Sequence, residues 1–232
     1  MKGLKPDSKL IAGVDEAGRG PVIGPMVLCA FACEPQREGE LKAMGARDSK
    51  VLTAANRERL EKLLRNFGVF VVRKITAVEL TELMRSRVSL NEIEAKCISE
   101  MLLELGRKNP LSSVYIDSPD PVAAKFERRI RKYFDHQFEI VCEHKADANY
   151  PVVSAASIIA KVERDVEIEG IKRELAALGM AGDFGTGYSH DARTIEFLKK
   201  YREEGALRKY VRHEWETARR IGTDQVDLSA YL

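Results

Sequence analysis

The feature that most constrains this fold is a short apolar segment, residues 10–14, that runs directly into two adjacent acids, Asp15 and Glu16. The segment is apolar without alternation, which is typical of a strand buried on both faces. Two carboxylates at the end of a buried strand are unfavourable unless a cationic group meets them. The segment therefore predicts both a core strand and a cation-binding site at its end.

A glycine-rich loop with one arginine follows these acids, as Gly18-Arg19-Gly20 and then Gly24. Glycine lacks a Cβ, so the backbone N–H groups of such a loop approach a ligand closely and adopt positive φ. Carboxylates followed by this loop indicate metal and phosphate chemistry, although a plain tight turn with flanking charges explains these residues about equally well. The spacing matches neither the Walker loop nor the G-x-G-x-x-G dinucleotide fingerprint.

Composition limits the class of protein. A chain of 232 residues, 44% hydrophobic and 32% charged, is long enough to bury a substantial core. Its net charge of only +2 means that affinity for nucleic acid has to come from local patches. No run approaches the length of a membrane span, and residues 1–9 lack an apolar signal core, so we expect an intracellular, cytoplasmic protein. The spacing of the four cysteines and four histidines makes a zinc site improbable.

The hydrophobic pattern predicts an α/β sheet followed by a mainly helical C-terminal piece. Strands are expected at residues 10–14, 26–33, 67–75, 113–116 and 138–142, the first three as an antiparallel meander. Capping patterns place helix starts at Thr53, at Thr76-x-x-Glu79, at Ser89-x-x-Glu92 and at Asp120-Pro121. Further helices are expected at 152–178, where Ile158, Val162 and Val166 should share a buried face, and at 191–204 and 213–221.

Two more acids share the position of Asp15 at a strand end. Asp117 follows the fourth predicted strand, and Asp147 lies just past the fifth. Together with Glu16 they would form a four-carboxylate cluster that cannot stay fully ionised without cations. Such hard oxygen ligands suit Mg²⁺ or Mn²⁺, and two such ions could serve an in-line phosphoryl displacement. Taken singly, each acid is more simply a solvated loop carboxylate or a helix cap.

These residues carry a resemblance to a known family. The segments VDEAGRGP at 14–21, DSK at 48–50, YIDS at 115–118, HKAD at 144–147, VSAASIIAK at 153–161 and GTGY at 185–188 occur in the order found in type 2 ribonuclease H. The chain resembles this family, also called ribonuclease HII, over roughly residues 10–220. The sequence EHKAD at 143–147 is more similar to the archaeal single-chain branch than to the bacterial one.

The resemblance implies a ribonuclease-H-like fold, with a mixed five-stranded sheet flanked by helices and a small helical C-terminal subdomain. It implies that the metal-binding catalytic carboxylates are Asp15, Glu16, Asp117 and Asp147. It further implies that Gly18-Arg19-Gly20 senses the ribose 2′-hydroxyl and that Tyr188 stacks at the RNA–DNA junction. Similar enzymes cut the RNA strand of RNA–DNA hybrids, and the 5′ side of ribonucleotides embedded in duplex DNA, to leave 3′-hydroxyl and 5′-phosphate ends. Without the resemblance, Tyr188 would be interpreted as a half-buried turn tyrosine.

Other basic residues are candidates for phosphate contact. Lys50, Lys145 and Lys161 could bind phosphate, or could be solvated lysines or counter-charges to the carboxylates. A C-terminal set could follow the duplex backbone, although interspersed glutamates also fit an ordinary solvated surface. Its members are Arg193, Lys199, Lys200, Arg208, Lys209, Arg212, Arg219 and Arg220.

The final residues resemble a sliding-clamp-binding tail, with Gln225, Leu228, Tyr231 and Leu232 at the motif positions. Leu232 replaces the usual final aromatic residue, and a tail that folds back on the body is the alternative. The predicted division is a catalytic domain at 1–180, a helical subdomain at 181–222 and the tail at 223–232. We expect a monomer that binds RNA–DNA hybrid, ribonucleotide-containing duplex and a sliding clamp, and no membrane.

Two rival functions remain open at this point. One is another two-metal nuclease of similar fold that acts on DNA structures, such as a junction resolvase, and substrates with and without a 2′-hydroxyl separate the two. The other is a non-catalytic, clamp-associated nucleic-acid binder. The four acids argue against the binder, because negative charge near phosphate weakens binding.

Overall fold

The computed structural model of the chain describes residues 9–46, 52–135, 138–180 and 182–223. Residue contacts divide the chain into two compact units. The sheet unit consists of Met1–Ala17, Val27–Lys74 and Leu90–Glu163, and the loop unit consists of Gly18–Met26, Ile75–Ser89 and Arg164–Leu232. The division of the chain at residues 180 and 222 stays a prediction.

A mixed five-stranded sheet organises the sheet unit, as the sequence predicts. Its strands are β1 (Leu10–Ala17), β2 (Met26–Cys33), β3 (Val69–Ile75), β4 (Leu111–Asp117) and β5 (Glu139–Glu143). They lie in the order β3-β2-β1-β4-β5. Strand β1 is antiparallel to β2 and parallel to β4, and β4 is parallel to β5. The central strand β1 therefore lies between β2 and β4, and it carries Asp15 and Glu16 near its end.

Helices account for most of the remaining described chain, and the sequence explains several of their starts. They are α1 (Glu38–Ala43), α2 (Ala54–Phe67), α3 (Ala77–Arg85), α4 (Leu90–Lys108), α5 (Ala123–Arg131), α6 (Ala146–Asn149), α7 (Pro151–Ala177), α8 (Ala192–Tyr201), α9 (Gly205–Arg208) and α10 (Glu216–Thr223). Thr53 caps α2 by accepting the Asn56 N–H at 3.3 Å. Thr76 and Glu79 form the predicted capping box of α3.

The structure corrects several local predictions. Strand β1 continues through both acids to Ala17, because its pairing with β2 extends to that residue. Asp120 is not a helix cap: α5 begins after Val122, and the Asp120 carboxylate instead accepts from Arg129 Nε at 3.1 Å. Val166 does not share the buried face of α7, since 58% of it is exposed. Residues 34–45, where the pattern predicts neither strand nor helix, contain a 3₁₀ turn, Pro35–Arg37, and then α1.

Close packing between β1 and α7 defines the core of the sheet unit. A Cβ on Gly13 would lie 2.2 Å from the backbone carbon of Val152, so only glycine permits this approach. Val152, Ala155 and Ile159 of α7 are fully buried in the same core as β2. The first turns of α7 are thereby held against the strand that carries Asp15.

The loop unit has its own apolar core. Residues from segment 22–23, from α7 and from helices α8 to α10 contribute to it, including Ile23, Ile168 and Phe197. Across the described residues, no helix is long and apolar enough to cross a membrane.

Candidate active site

The pairing of two parallel strands brings the predicted acids Asp15 and Asp117 together. Val14 of β1 pairs with Ile116 of β4, and each residue is followed directly by an aspartate, Asp15 or Asp117. Strands of a parallel pair run in the same direction, so residues that follow a paired position emerge side by side. The expected meeting of strand-end carboxylates is thus built into the register of the sheet.

Asp15 is the most buried of the strand acids, with 6% of its surface exposed. Its Oδ1 accepts the N–H of Glu16 at 2.7 Å, and its side chain also bonds to Ser157 of α7. Burial, followed by the charges of Glu16 and Asp117, raises the pKa of Asp15 well above its usual value despite these hydrogen bonds. Ionised Asp15 therefore occupies an environment that a nearby cation would stabilise.

A lysine and a serine on one face of α7 support Asp15. Lys161 Nζ donates to Ser157 Oγ at 3.0 Å, one helical turn away. A serine hydroxyl has a single proton, so a hydroxyl that accepts from an ammonium directs its own proton to another acceptor. Ser157 can in this way donate to the Asp15 carboxylate. The predicted phosphate ligand Lys161 is thus connected to the carboxylates through Ser157.

Asp147 lies in a four-residue helix that the sequence analysis did not predict. Lys145 adopts the left-handed conformation, with φ of 58°, and α6 begins directly after it. The N–H of Ala146 donates to Asp117 Oδ1 at 3.1 Å, which connects the start of α6 to the end of β4. Asp147 is 3% exposed and follows directly in the chain. Left-handed Lys145 and this backbone bond together bring the start of α6, the helix that carries Asp147, to the end of β4.

The donor set is chemically suited to a divalent metal, although its side chains are not grouped as a metal cage. In the described part of the chain, no three histidine, cysteine, aspartate or glutamate side chains are close enough together to hold an ion. Asp15 and Asp117 each direct one oxygen at a backbone N–H instead. All four predicted ligands are carboxylates, the hard oxygen donors that Mg²⁺ and Mn²⁺ prefer. We therefore find that the donor chemistry fits such an ion.

The loop unit contains the glycine loop that follows β1 in sequence. Gly18 is buried with φ of 80°, and a Cβ there would lie 2.3 Å from Arg164 Nε and 2.9 Å from the Pro25 carbonyl oxygen. Gly20 is exposed, and its Cβ position is 3.3 Å from Tyr188 Cε1. The structure thus brings together Gly20 and Tyr188, two residues that the sequence analysis assigned to substrate recognition.

Backbone bonds and a buried arginine connect this loop to the GTGY segment at 185–188. The Gly187 carbonyl accepts the N–H of Val22 at 2.7 Å. Arg164 Nη2 donates to the Thr186 carbonyl at 3.2 Å, and its guanidinium carbon lies 5.5 Å from the centre of the Tyr188 ring. Burial lowers the pKa of Arg164. Tyr188 is half-buried, with Arg164 near its ring and Gly20 beside its edge.

Sequence reasoning missed the role of Arg212 in this loop. Arg212 is 0% exposed, and its guanidinium donates to the carbonyls of Gly18 at 2.7 Å, Arg19 at 3.0 Å and Gly24 at 2.9 Å. Its placement among the basic residues that could follow the duplex backbone is therefore wrong. A surface arginine and a buried arginine look alike in the local sequence. Contacts with distant parts of the chain decide whether the side chain is buried.

A comparison with known proteins decides the family. The model of the ribonuclease HII family matches residues 12–218 of this chain. The chain belongs to the ribonuclease HII family. A ribonuclease HII from Methanocaldococcus jannaschii is 43% identical over 224 residues, which cover 91% of this chain and 94% of the relative. A ribonuclease HII from Thermofilum pendens is 39% identical, with coverage of 91% and 98%.

Solved structures confirm the ribonuclease-H-like fold. The chain superposes on the crystal structure of the ribonuclease H2 from Pyrococcus horikoshii with a TM-score of 0.79 and 40% identity, covering 91% of this chain and 96% of that one. As a ribonuclease HII, this chain is an endoribonuclease that acts on RNA–DNA hybrids, and its family depends on divalent metal ions.

The remaining basic residues of this ribonuclease HII differ in environment. Lys145 is exposed, whereas Lys50 lies outside the described residues, as do the predicted clamp-binding residues Gln225, Leu228, Tyr231 and Leu232. The rest of the predicted C-terminal set is exposed: Arg193, Lys199, Lys200, Arg208, Lys209, Arg219 and Arg220. Four of these seven form ion pairs with neighbouring acids, namely Arg193, Lys209, Arg219 and Arg220. Such pairing weakens their case as phosphate ligands.

Proposed function

We propose that Asp15, Glu16, Asp117 and Asp147 are the catalytic residues of this ribonuclease HII and that they hold two divalent ions, Mg²⁺ or Mn²⁺. The observation that carries this proposal is the register of β1 and β4, which sets Asp15 beside Asp117 one residue beyond the pair Val14 and Ile116. The Ala146 N–H, which bonds to Asp117, supports the placement of Asp147 in the same group.

The chain's own groups prepare this site. When bound, divalent ions would supply an activated water and neutralise the charge that develops on the phosphate. Ser157 holds Asp15 by a hydrogen bond, and Lys161 in turn fixes the Ser157 hydroxyl. The N–H groups of Glu16 and Ala146 fix one oxygen each of Asp15 and Asp117. These contacts orient carboxylates whose mutual repulsion would otherwise separate them.

We further propose that the enzyme cuts on the 5′ side of a ribonucleotide embedded in duplex DNA and leaves 3′-hydroxyl and 5′-phosphate ends. The 2′-hydroxyl is the group that distinguishes RNA from DNA at such a site. Gly18, Arg19 and Gly20 would contact it through their backbone, and Tyr188 would stack at the RNA–DNA junction. The exposure of Gly20, and the Tyr188 ring that lies 3.3 Å from where a Cβ of Gly20 would be, support this assignment.

Phosphate contacts of Lys50, Lys145 and Lys161 belong to the same proposal. Lys145 is exposed and lies two residues before Asp147, which supports its proposed contact with phosphate. Lys161 would combine two tasks, since its ammonium already donates to Ser157.

The test uses a labelled DNA duplex that carries one ribonucleotide, beside an all-DNA duplex of the same sequence, each with Mg²⁺, Mn²⁺ or chelator. We expect a metal-dependent cut only at the 5′ side of the ribonucleotide. Equal cutting of the all-DNA duplex would contradict the proposal and favour the resolvase-like rival. Binding that persists in chelator without any product in either metal would favour the non-catalytic binder.

The C-terminal tail is proposed to bind a sliding clamp through Gln225, Leu228, Tyr231 and Leu232. A 39% identical ribonuclease HII from Archaeoglobus fulgidus, whose structure superposes with a TM-score of 0.79, is described as a complex with PCNA. Deletion of residues 225–232 should abolish capture of the enzyme by immobilised clamp but leave hydrolysis of a short duplex unchanged. Ser229→Ala is the matched control, because position 229 lies between motif residues. Undiminished capture after the deletion would contradict the assignment.

We also propose that the enzyme is a cytoplasmic monomer. All four cysteines are among the described residues and none forms a disulfide, which suits a reducing compartment. Light scattering across a range of protein concentrations tests the monomer, and a mass that rises toward twice 26.1 kDa would contradict it.

A further inference from the structure

Arg212 fixes the direction of two peptide groups in the glycine loop. Its Nη2 donates a hydrogen bond to the Gly18 carbonyl, and its Nη1 donates to the Arg19 carbonyl. Its Nε donates to the Gly24 carbonyl. An arginine fork can hold several acceptors in one fixed geometry, whereas a lysine ammonium is a point charge on a flexible stem. The buried guanidinium is therefore suited to setting the orientation of the loop backbone.

The geometry of the peptide bond gives this orientation a consequence. In a planar trans peptide the C=O of one residue and the N–H of the next point in opposite directions. Carbonyls of Gly18 and Arg19 that face Arg212 therefore aim the N–H groups of Arg19 and Gly20 away from it. Pro21 follows and has no N–H. Only these two amides of the segment are set in this way, and that of Gly20 lies at an exposed position.

Arg212 is itself held rigidly. Its backbone N–H donates to the Val22 carbonyl at 2.9 Å, and the Gly24 N–H donates to the Tyr210 carbonyl at 2.8 Å. Its guanidinium carbon lies 4.9 Å from the centre of the Trp215 ring. The side chain thus enters the loop from a segment that is paired with the same loop, which leaves little freedom to either.

We propose that Arg212 is a positioning residue for ribonucleotide recognition: it aims the N–H groups of Arg19 and Gly20 at the 2′-oxygen of the substrate. This inference rests on the proposed role of the Gly18-Arg19-Gly20 loop and extends it. In this proposal the preference of the loop for a 2′-hydroxyl depends on the direction of its N–H groups. Arg212, which lies outside the loop, maintains that direction. Arg212 touches no reacting atom and acts only through the backbone of the loop.

The experiment compares the wild-type enzyme with Arg212→Lys. The KM of a duplex with one ribonucleotide is measured beside the Ki of the same duplex without it, added as an inhibitor. The ratio of Ki to KM reports preference for the 2′-hydroxyl and is independent of the amount of folded enzyme. We expect this ratio to fall at least about tenfold in Arg212→Lys, because a misdirected N–H loses most of one hydrogen bond. The dependence of the rate on metal concentration should stay unchanged.

Two control variants separate recognition from stability. Arg107→Lys makes the same chemical change at an exposed position of α4 and should leave the ratio at its wild-type value. Phe197→Leu disturbs the apolar core of the loop unit at a residue of α8, outside the Gly18-Arg19-Gly20 segment, so it should lower the melting temperature and leave the ratio unchanged. An Arg212→Lys enzyme that is merely less stable, with a wild-type ratio, would overturn the proposal.

A second measurement keeps the proposal testable if Arg212→Lys does not fold. In the wild-type enzyme, with Ca²⁺ in place of Mg²⁺, the amide NMR signal of Gly20 should shift with the ribonucleotide duplex and not with the all-DNA duplex. Equal shifts with both duplexes would overturn the inference. A wild-type Ki equal to KM would instead show that the loop does not sense the 2′-hydroxyl, which is a failure of the proposed function itself.

Discussion

Asp15 and Asp117 emerge side by side from neighbouring parallel strands, each one residue beyond the paired residues Val14 and Ile116. This relationship depends on strand register and not on side-chain choice, so the two carboxylates are brought together as soon as the sheet forms. Burial and neighbouring charge then raise the pKa of Asp15. The sheet thus creates a site whose ionised form a cation stabilises.

Loss of the Asp15 charge should abolish hydrolysis. Asp15→Asn keeps the shape of the side chain but removes a carboxylate, and we expect kcat to fall by three or more decades, at about 1.4 kcal/mol each. Single-turnover cleavage of the ribonucleotide duplex measures the effect. Asp135→Asn, at an exposed position, is the matched control and should retain full activity. A loss below tenfold in Asp15→Asn would reject its role as a ligand.

The same substitution should change how stability depends on pH. Because burial raises the pKa of Asp15, the folded state binds the Asp15 proton more tightly than the unfolded state does. This proton contributes its full stabilisation of the folded state below the ordinary aspartate pKa of about 3.9. It is lost as pH rises through the raised pKa of the folded state. In chelator at pH 8, Asp15→Asn should therefore melt at a higher temperature than wild type, and the difference should shrink toward pH 4. A difference in melting temperature that does not depend on pH would contradict the assignment.

Ser157 should matter for metal use as well as for rate. Ser157→Ala removes the hydrogen bond that orients Asp15, and a bond to a charged group contributes about 1.5–3 kcal/mol. We expect kcat to fall about tenfold or more and the metal concentration for half-maximal rate to rise. Ser154→Ala is a close control, since Ser154 is equally buried on α7 and its hydroxyl has no hydrogen-bond partner among the described residues. Equal effects of the two substitutions would indicate a general packing defect.

Local patterns are sufficient to predict the strands on which Asp15 and Asp117 lie. Short apolar runs that end in Asp15 and Asp117 predict strands, and parallel neighbours place such ends together. Thr53 and Thr76 are predictable as caps because their partners, Asn56 and Glu79, lie three residues away in sequence. These features depend on contacts between residues that are close together in the sequence. They explain why the sheet and the pair of strand-end acids were predictable.

The features that the sequence did not reveal depend on distant contacts. Asp120 has the sequence context of a cap, but Arg129 binds its carboxylate and the helix begins later. Asp147 lies in a single helical turn that follows a left-handed lysine, a combination too short to produce a periodic pattern. Arg212 lies among exposed basic residues in sequence, but it is buried where residues 22–24 pair with its segment.

The Tyr188 ring should contribute to substrate binding. Tyr188→Ala removes a stacking surface, which is worth about 1–3 kcal/mol per base in single-strand complexes and corresponds to a loss of roughly tenfold to hundredfold in kcat/KM. Tyr188→Phe keeps the ring and should retain most of the activity. Steady-state kinetics on the ribonucleotide duplex distinguish these results. Equal activity of the Ala and Phe variants would show that the ring does not stack on substrate.

Gly18 should be the least replaceable residue of the loop. Its φ of 80° costs a residue with a Cβ about 1–2 kcal/mol, and the added carbon would also meet Arg164 and the Pro25 carbonyl. Gly18→Ala should therefore lower the free energy of unfolding by more than this amount in urea titrations, and should lower kcat/KM because the loop has to shift.

Gly170→Ala is expected to stabilise the protein, whereas Gly18→Ala is expected to destabilise it. Gly170 lies inside α7, and no atom beyond its chain neighbours and the surrounding helix backbone lies within 4 Å of an added Cβ there. The substitution should raise the free energy of unfolding by up to about 1 kcal/mol through helix propensity, with activity unchanged. If Gly18→Ala matched Gly170→Ala in both stability and activity, the loop could accept a side chain at its tightest point. The close approach of Arg164 would then have no functional consequence.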